Sequence, residues 1–382
     1  MAASMIKRTS ADYELNKLRK IFLKAETDII NEIGRLRSSG LVDYHATAAL
    51  GRVQSILKKM ESDCWEYVPK MVEKQFYVRV PEARKILEPK EKHIAGYENA
   101  EALTATQYNI IDRLVANLMG EIVEASTVVM STLSNALIGP QESGIYRRVG
   151  LGLVSSMEAT GKGAAATIPQ FARTLLQEGV TAFIDKAGRN WSLHTYANMV
   201  CRTTSRQAEV LAVLTTDEEH DLYQITSHGT TCKICAPLEG RVYSKSGKDP
   251  IFPPLSIAFG KVDPSGPDEL TNTYLNIHPN CLHAVVPWTA AGKTEEELQK
   301  IKDFSSVTKN PLTVDPRSQK QIDTYRAKER GREKWLRDYR QWEQYKMVLG
   351  NKVPTFETFQ KHKMADDEKY KKWQKQYRET EK

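Results

Sequence analysis

Two short segments of the sequence hold most of the residues that could bind a metal ion. The segments SHGTTCKICAPLEG and IHPNCLHAV contain three of the five cysteines and three of the eight histidines. Thiolate and imidazole are the ligands that zinc prefers in closed tetrahedral sites. The pattern, a Cys-x2-Cys pair followed by a second group of ligand residues, therefore predicts a structural zinc site. The candidate ligands are Cys232, Cys235, His278, Cys281 and His283.

The spacing leaves several points of this interpretation open. Three cysteines and either His278 or His283 would complete four ligands, and His228 is a further candidate. The same residues could form a hydrogen-bonded cluster without a metal, because short motifs often match by chance. A disulfide between Cys232 and Cys235 is disfavoured in a reducing compartment. A cysteine nucleophile would need a histidine and an acid placed beside it, rather than residues paired at ligand spacing.

The composition indicates an ordinary folded protein with room for two or three domains. The chain has 382 residues, of which 40% are apolar and 27% charged. No run approaches the roughly 20 apolar residues of a membrane span, and the N-terminal residues form no apolar signal-peptide core. We therefore expect no membrane segment and a chain that is made and used, or assembled, in the cytosol.

The first 165 residues are expected to form an elongated helical region that contacts other proteins. Apolar residues recur at three- and four-residue steps, which predicts helices over 15–36, from about Tyr44 to Met71, and over 104–138. Ser38-Ser39-Gly40 and Gly139-Pro140 are expected to end the first and third of these helices. Polar residues are scattered along the outer faces, without a catalytic pattern.

Residues 166–305 are expected to form a compact α+β domain. A Gly- and Ala-rich joint near 160–167 precedes a short helix and a candidate strand, TAFID. Ser192 is a good N-cap for the next helix, whose predicted inner face is Leu193, Tyr196, Val200, Thr204, Ala208 and Leu211. Three strand-like runs follow, DLYQITSH, RVYS and AVVPW. The predicted fold class is thus α+β and mostly α, with the Cys/His residues clasping its loops.

The last part of the chain, 306–382, is predicted to be a basic helical tail. Residues 317–382 contain 19 Lys and Arg against 11 Asp and Glu, so their net charge of +8 exceeds the +7 of the whole chain. Such asymmetry suggests a partner that is a polyanion or an acidic surface. Two helices separated by GNKVPT are expected, each with an aromatic stripe that favours packing over base stacking. The stripe of the second helix is Phe356, Phe359, Tyr370, Trp373 and Tyr377.

Three motifs, in order over about 120 residues, resemble the phage minor capsid protein 2 family, which is similar to the Mu F-like head-morphogenesis proteins. They lie in EGVTAFIDKAGRNWSLHTYANMVCRTTSRQA, SHGTTCKICAPLEGRVYS and HPNCLHAVVPW. The matching residues are Gly188, Arg189, Trp191, Tyr196, Met199, Arg202, Thr203, His228, Cys232, Cys235, Gly240, His278, Pro279, Cys281 and His283.

The resemblance implies a minor structural protein of a tailed-phage head. Such a protein lies inside the capsid near the portal and acts in head morphogenesis, with a further role in DNA packaging or ejection. The implied partners are the portal protein, the major capsid or scaffolding protein, and packaged DNA through the basic tail. Residues 166–305 would be the Mu F-like domain, and 1–165 would contact the portal.

Mu F-like domains have also been grouped with the ADP-ribosyltransferase fold, which implies a rival function. A NAD-dependent enzyme or toxin module would use Arg202, Ser227 and Glu239 as its catalytic residues. The sequence has no Glu-x-Glu pair on a loop after Ser227, and TEEEL at 294–298 predicts the start of a helix. A zinc nuclease, suggested by HPNCLH, would need a metal with a free position. We therefore expect no catalytic activity.

Overall fold

The computed structural model describes residues 11–36, 43–87, 103–138, 182–184 and 190–379. Helices dominate these residues, and a small antiparallel sheet of three strands lies among them, which confirms the predicted α+β, mostly α class. The helices are α1 Ala11–Leu36, α2 Asp43–Leu87, α3 Ala105–Ile138, α4 Leu193–Leu214, α5 Ser256–Phe259, α6 Glu295–Ser305, α7 Gln319–Leu349, α8 Phe356–Ala365 and α9 Glu368–Glu379. The strands are β1 Ala182–Ile184, β2 Asn190–Ser192, β3 Leu222–Ile225, β4 Val242–Ser244 and β5 Val285–Pro287.

The chain folds into two compact units, each built from three separate segments. The first unit contains residues 1–18, 65–119 and 198–328, and the second contains 19–64, 120–197 and 329–382. The predicted domains, 1–165, 166–305 and 306–382, stay a prediction. The joint near 160–167 and the short helix after it lie outside the described residues.

Helix α2 continues well past its predicted end at Met71 and reaches Leu87. It contains Pro69 and Pro81, either of which would normally interrupt a helix at a cost of about 3 kcal/mol. Its apolar positions nevertheless remain buried through this stretch, at Val72, Phe76, Val80 and Ala83. Packing of this face therefore outweighs the hydrogen bonds that the two prolines remove. The predictions for α1 and α3 agree with the structure.

Helix α3 is the one helix in the described part of the chain that is long and apolar enough to cross a membrane. This holds by length and composition only, for Ala105–Ser134, and 44% of its apolar window is buried inside the protein. A buried core helix of a soluble protein meets the same criterion, so the evidence for a membrane span is weak.

The three-stranded sheet of the first unit has the order β4-β3-β5, with both pairs antiparallel. Its strands are the three predicted from DLYQITSH, RVYS and AVVPW. Tyr223 lies opposite Tyr243 on one side and Pro287 on the other. Helix α4 packs its C-terminal turns on the sheet, and the shared core includes Val210, Val213, Leu214, Tyr223, Ile225, Tyr243, Phe259 and Val285. The candidate strand TAFID is β1, which pairs with the unpredicted strand β2.

The buried face of α4 differs from the predicted one by about one residue. Of the six predicted inner residues, only Leu193 and Ala208 are fully buried, and the other four are half-buried. The most buried stripe is Leu193, Ala197, Cys201, Ser205, Ala208, Glu209 and Ala212. This stripe includes two polar residues, which a search for apolar periodicity excludes. They are tolerated because both have polar partners on α2.

Those partners are Gln75 and Arg79. The Gln75 Nε2 atom donates to Ser205 Oγ at 2.8 Å, and Arg79 Nη2 lies 2.5 Å from Glu209 Oε1. The side chains of Arg79 and Glu209 are only 6% and 2% exposed. Buried polar groups without such partners would cost several kcal/mol. Helices α2 and α4 are thus joined by a hydrogen bond and a buried ion pair within the core.

The tail folds back on itself through three helices rather than the two predicted. The break between α7 and α8 falls at the predicted GNKVPT, in a 3₁₀ turn over Gly350–Lys352. The aromatic stripes face one another and form a core of their own, as the packing interpretation predicted. That core contains Tyr339, Trp342, Tyr345, Phe356, Phe359, Tyr370 and Trp373, with Trp335 and Tyr377 partly buried against it.

The second predicted tail helix is interrupted at Asp366, which separates α8 from α9. Asp366 has φ 47° and ψ 38°, the left-handed conformation, and its N–H donates to the His362 and Lys363 carbonyls. Such a residue ends a helix by satisfying its last carbonyl groups. The predicted stripe therefore spans two helices, because its residues come together through this turn and not through a single helical face.

We expect an Asp366→Gly protein to be more stable than an Asp366→Ala protein by about 1 kcal/mol. Glycine adopts the left-handed conformation without the steric cost that a Cβ atom brings. Both substitutions remove the exposed ion pair between Asp366 and Lys371, so this interaction cancels in the comparison. Chemical denaturation of the two proteins measures the difference, and equal stabilities would contradict the role assigned to this turn.

Candidate metal centre

The sheet brings the two ligand-rich turns to the same place. The first turn follows β3, and the second precedes β5, which runs antiparallel to β3. Both turns must therefore lie at the same end of the sheet. Ile225 pairs with Val285, and the Thr226 N–H donates to the Ala284 carbonyl at 2.9 Å, which extends the pairing up to the turns.

Each turn has its own local structure. In the first, the Ala236 N–H donates to the Cys232 carbonyl, and a 3₁₀ helix over Ala236–Leu238 follows. In the second, the Cys281 N–H donates to the His278 carbonyl at 3.0 Å. Asn280 has φ 64°, a left-handed conformation that asparagine tolerates better than most residues.

The five candidate ligands lie together, as their spacing predicted. His278 Nε2 is 3.1 Å from the Cys235 sulfur and 3.4 Å from the Cys232 sulfur. The Cys235 and Cys281 sulfurs are 3.8 Å apart, and His283 Nδ1 is 3.2 Å from the Cys281 sulfur. Two sets of three ligand atoms, each set within 4.8 Å, share Cys235. These Cys/His groups are placed to hold a metal ion.

The separations within each set are near the dimensions of a zinc site, although His278 and Cys281 belong to different sets. Zn–S bonds of about 2.3 Å and Zn–N bonds of about 2.0 Å in a tetrahedron place two sulfurs about 3.8 Å apart and sulfur and nitrogen about 3.5 Å apart. The observed separation of the Cys235 and Cys281 sulfurs equals the first value. Cys235, Cys281 and His283 are buried, and the Cys232 and His278 side chains are half-buried.

Hydrogen bonds shift the pKa values of the three cysteines in opposite directions. A hydrogen bond with Cys235 lowers the pKa of the Cys232 thiol to about 3, and Cys235 does the same for Cys281. The pKa of Cys235 is itself raised, first by its contact with Cys232. Deprotonation is thus favoured at Cys232 and Cys281 and disfavoured at Cys235, whose thiol proton is the last to leave. A bound cation would take the place of that thiol proton, since metal ligands bind as thiolates.

Contacts with the cysteines also raise the pKa values of the two candidate ligand histidines, His278 and His283. A hydrogen bond with Cys232 raises the pKa of His278 to about 9. Burial lowers the pKa of His283, but its hydrogen bonds with Cys281 and Glu239 outweigh this and raise that pKa to about 9. In His228 burial dominates and the pKa is lowered, with His283 nearby adding to the effect. His228 thus differs electrostatically from the other two.

Groups around the ligands hold them in place. The His278 Nδ1 atom lies 2.8 Å from the Pro279 carbonyl, which leaves Nε2 to face the sulfurs. The Cys235 and His283 N–H groups each donate to a cysteine sulfur at 3.4 Å. His228 Nε2 contacts the Leu282 carbonyl at 3.1 Å rather than a sulfur. Such outer contacts fix the direction of ligand atoms in metal sites.

Comparison with known families identifies the chain. The family model of Phage minor capsid protein 2 matches residues 12–380, nearly the whole chain. The chain belongs to the phage minor capsid protein 2 family. This confirms the resemblance seen in the three motifs and makes the protein a virion component with a structural role in the phage head. Comparisons with curated proteins and with solved structures gave no match.

The three residues considered for a catalytic role, Arg202, Ser227 and Glu239, lie in different environments. Ser227 is exposed, Arg202 is half-buried on α4, and Glu239 ends the first turn. The Glu239 carboxylate already accepts the His228 N–H at 3.0 Å and contacts His283 Nε2 at 2.5 Å. The TEEEL segment begins α6, as predicted, and Thr294 and Glu297 form its capping box. A structural capsid family suggests a protein that is not an enzyme.

The contact between Arg317 and the first turn of the cluster was not predicted. The Arg317 Nη1 atom donates to the carbonyl of Thr231, the residue before Cys232, at 3.0 Å. Arg317 is also held by two contacts with the Asp315 carboxylate. The sequence placed Arg317 in the basic tail, because a backbone carbonyl acceptor leaves no mark on the sequence pattern. A truncation that tests the tail must therefore begin after this residue.

Proposed function

We propose that this protein lies inside the phage capsid near the portal and acts in head morphogenesis, with a further role in DNA packaging or ejection. The observation that carries the proposal is the family match over residues 12–380. Three features support it: helices up to 45 residues long, a small domain clasped by the Cys/His turns, and a tail with a basic outer surface. The proposed partners are the portal protein and packaged DNA, with the major capsid or scaffolding protein as a further contact.

Capture by purified portal protein tests the proposed partner. We expect the full chain to be retained by immobilised portal protein of the same phage, and more strongly than by its major capsid protein. Protease treatment of intact and opened heads tests the interior location, because an internal protein is cleaved only after opening. Retention by the major capsid protein alone, or cleavage in intact heads, would contradict the respective part of the proposal.

We propose that the Cys/His cluster holds one structural zinc ion through Cys232, Cys235, Cys281 and His278. His278 is preferred over His283 as the fourth ligand because its Nε2 atom faces two sulfurs, whereas His283 Nδ1 lies beside one. With four protein ligands the metal has no open position and serves as a cross-link. It would join the turn after β3 to the turn before β5.

We propose that the outer surface of α9 contacts the phosphates of packaged duplex DNA. Lys371, Lys372, Lys375 and Arg378 are exposed on this helix, while Tyr370 and Trp373 are buried in the tail core. The rings are therefore occupied and cannot stack on unpaired bases. Protein partners are usually recognised through buried aromatic anchors, which this surface lacks. Cations alone suffice for phosphate contacts.

A Lys371→Glu/Lys375→Glu protein is expected to bind duplex DNA more weakly and with less salt dependence. Each phosphate that the protein no longer neutralises lowers the log–log salt slope by about 0.9. The matched control is Lys24→Glu/Lys59→Glu, which reverses two lysines that are each 69% exposed on α1 and α2. Fluorescence anisotropy at several salt concentrations measures both slopes. Equal weakening in the two proteins would show that net charge, and not the α9 surface, determines binding.

A further inference from the structure

Glu239 and His283 connect the two turns of the metal centre by a direct side-chain contact. Glu239 directly follows the 3₁₀ helix of the first turn, and His283 belongs to the second turn. His283 Nε2 lies 2.5 Å from Glu239 Oε1, and His283 Nδ1 lies 3.2 Å from the Cys281 sulfur. The side chains of His283 and Glu239 are 5% and 13% exposed. The imidazole therefore lies between a carboxylate and a cysteine.

A second hydrogen bond holds the carboxylate of Glu239 in place. The oxygen that faces His283 also accepts the His228 N–H at 3.0 Å. The ring of His228 packs edge-on against that of His283, with centroids 4.6 Å apart. His228 Nε2 contacts the Leu282 carbonyl, and Thr226 Oγ1 accepts the Ala284 N–H. The carboxylate of Glu239 and the ring of His228 thus limit the movement of the ring of His283.

We infer that Glu239 and His283 are positioning residues of the metal centre, which orient Cys281 without binding the metal themselves. The inference rests on the proposed zinc site and adds two residues to it. Glu239 engages Nε2 of His283, so that Nδ1 faces the sulfur of Cys281. The contact spans the two turns, so it holds Cys281 at its separation of 3.8 Å from Cys235. The role differs from the catalytic one that the sequence suggested for Glu239.

Two contacts favour this arrangement over one in which His283 is a ligand. His278 Nε2 lies near two sulfurs that belong to the first turn, and so bridges the two turns as a ligand should. The only sulfur in hydrogen-bonding distance of His283 Nδ1 among the described residues is that of Cys281, two residues away. Hydrogen bonds from outer residues to ligands commonly change metal affinity by about 10- to 100-fold.

The test compares zinc affinity in full-length variants, measured by competition with a chromophoric chelator. We expect Glu239→Ala to bind zinc about 10- to 100-fold more weakly than wild type, at an unchanged ratio of metal to protein. Glu239→Gln keeps an acceptor oxygen and is expected to recover most of the affinity. The control, Glu295→Gln, changes a carboxylate that is 81% exposed on α6 and is expected to have no effect. Wild-type affinity in Glu239→Ala would overturn the inference.

Cobalt(II) substitution supplies a second readout, which global destabilisation would not mimic. The thiolate-to-cobalt absorption bands report the ligands directly. We expect them to stay unchanged in Glu239→Ala and in His283→Asn, whose amide can still contact the Cys281 sulfur, and to shift in His278→Ala. A shift in His283→Asn with none in His278→Ala would make His283 the ligand and overturn the inference. Wild-type protein that binds neither metal would refute the zinc proposal itself, and the inference with it.

Discussion

A Cys235→Ser protein is expected to lose its zinc and to unfold the segment 226–285, while the helices far from it in sequence remain folded. Cys235 is the residue that the two ligand sets share, in contact with both His278 and Cys281. Structural zinc contributes about 10–16 kcal/mol of apparent binding free energy in small domains. This is comparable to the whole stability of a typical domain, about 5–15 kcal/mol.

Hydrogen exchange and zinc content measure the two parts of this result. We expect amides in 226–285 to lose protection in Cys235→Ser, and wild-type protein to respond in the same way to a strong chelator. Cys201→Ser is the matched control, because Cys201 is 2% exposed on α4 and lies outside the cluster. Its zinc content is expected to equal that of wild type. A Cys235→Ser protein with full protection in 226–285 would show that the turns do not depend on a metal.

A Glu209→Gln protein is expected to be less stable than wild type by about 3–5 kcal/mol. Glu209 is 2% exposed and contacts both Arg79 and Arg206. Removal of its charge would leave Arg79 buried without its closest counter-charge, which is the costly way to break a buried ion pair. The remaining partner of Arg79, Glu82, is 56% exposed and compensates only weakly.

Chemical denaturation of Glu209→Gln and Glu82→Gln separates the buried contact from the exposed one. Both substitutions remove one negative charge near Arg79, but only the first does so inside the core. We expect Glu82→Gln to change the free energy of unfolding by at most about 1 kcal/mol. Equal effects would contradict the structural role of the Arg79–Glu209 pair between α2 and α4.

The sequence predicted the features that depend on periodicity and spacing. Apolar repeats located α1 and α3, and short strand-like runs between Gly- and Pro-rich loops located the three strands of the sheet. The two turns were predicted to meet, and their ligand atoms lie together. These predictions succeeded because each rests on a local pattern, which packing and strand pairing then reinforce.

The remaining features depend on contacts between residues that are distant in sequence. The extension of α2 beyond Met71 requires packing that overrides two prolines. The buried face of α4 includes Ser205 and Glu209, whose partners lie on α2 more than a hundred residues earlier. The interruption at Asp366 follows from a left-handed backbone conformation, which aspartate can adopt but which its presence in a sequence does not predict. Sequence patterns carry no signal for such contacts.

X-ray absorption at the zinc edge of the purified full-length protein tests the metal centre most directly. We expect one zinc per chain with three sulfur ligands at about 2.3 Å and one nitrogen at about 2.0 Å. Those ligands correspond to Cys232, Cys235, Cys281 and His278. Protein purified without chelator that contains no zinc, or a spectrum with fewer than three sulfur ligands, would contradict the proposed site.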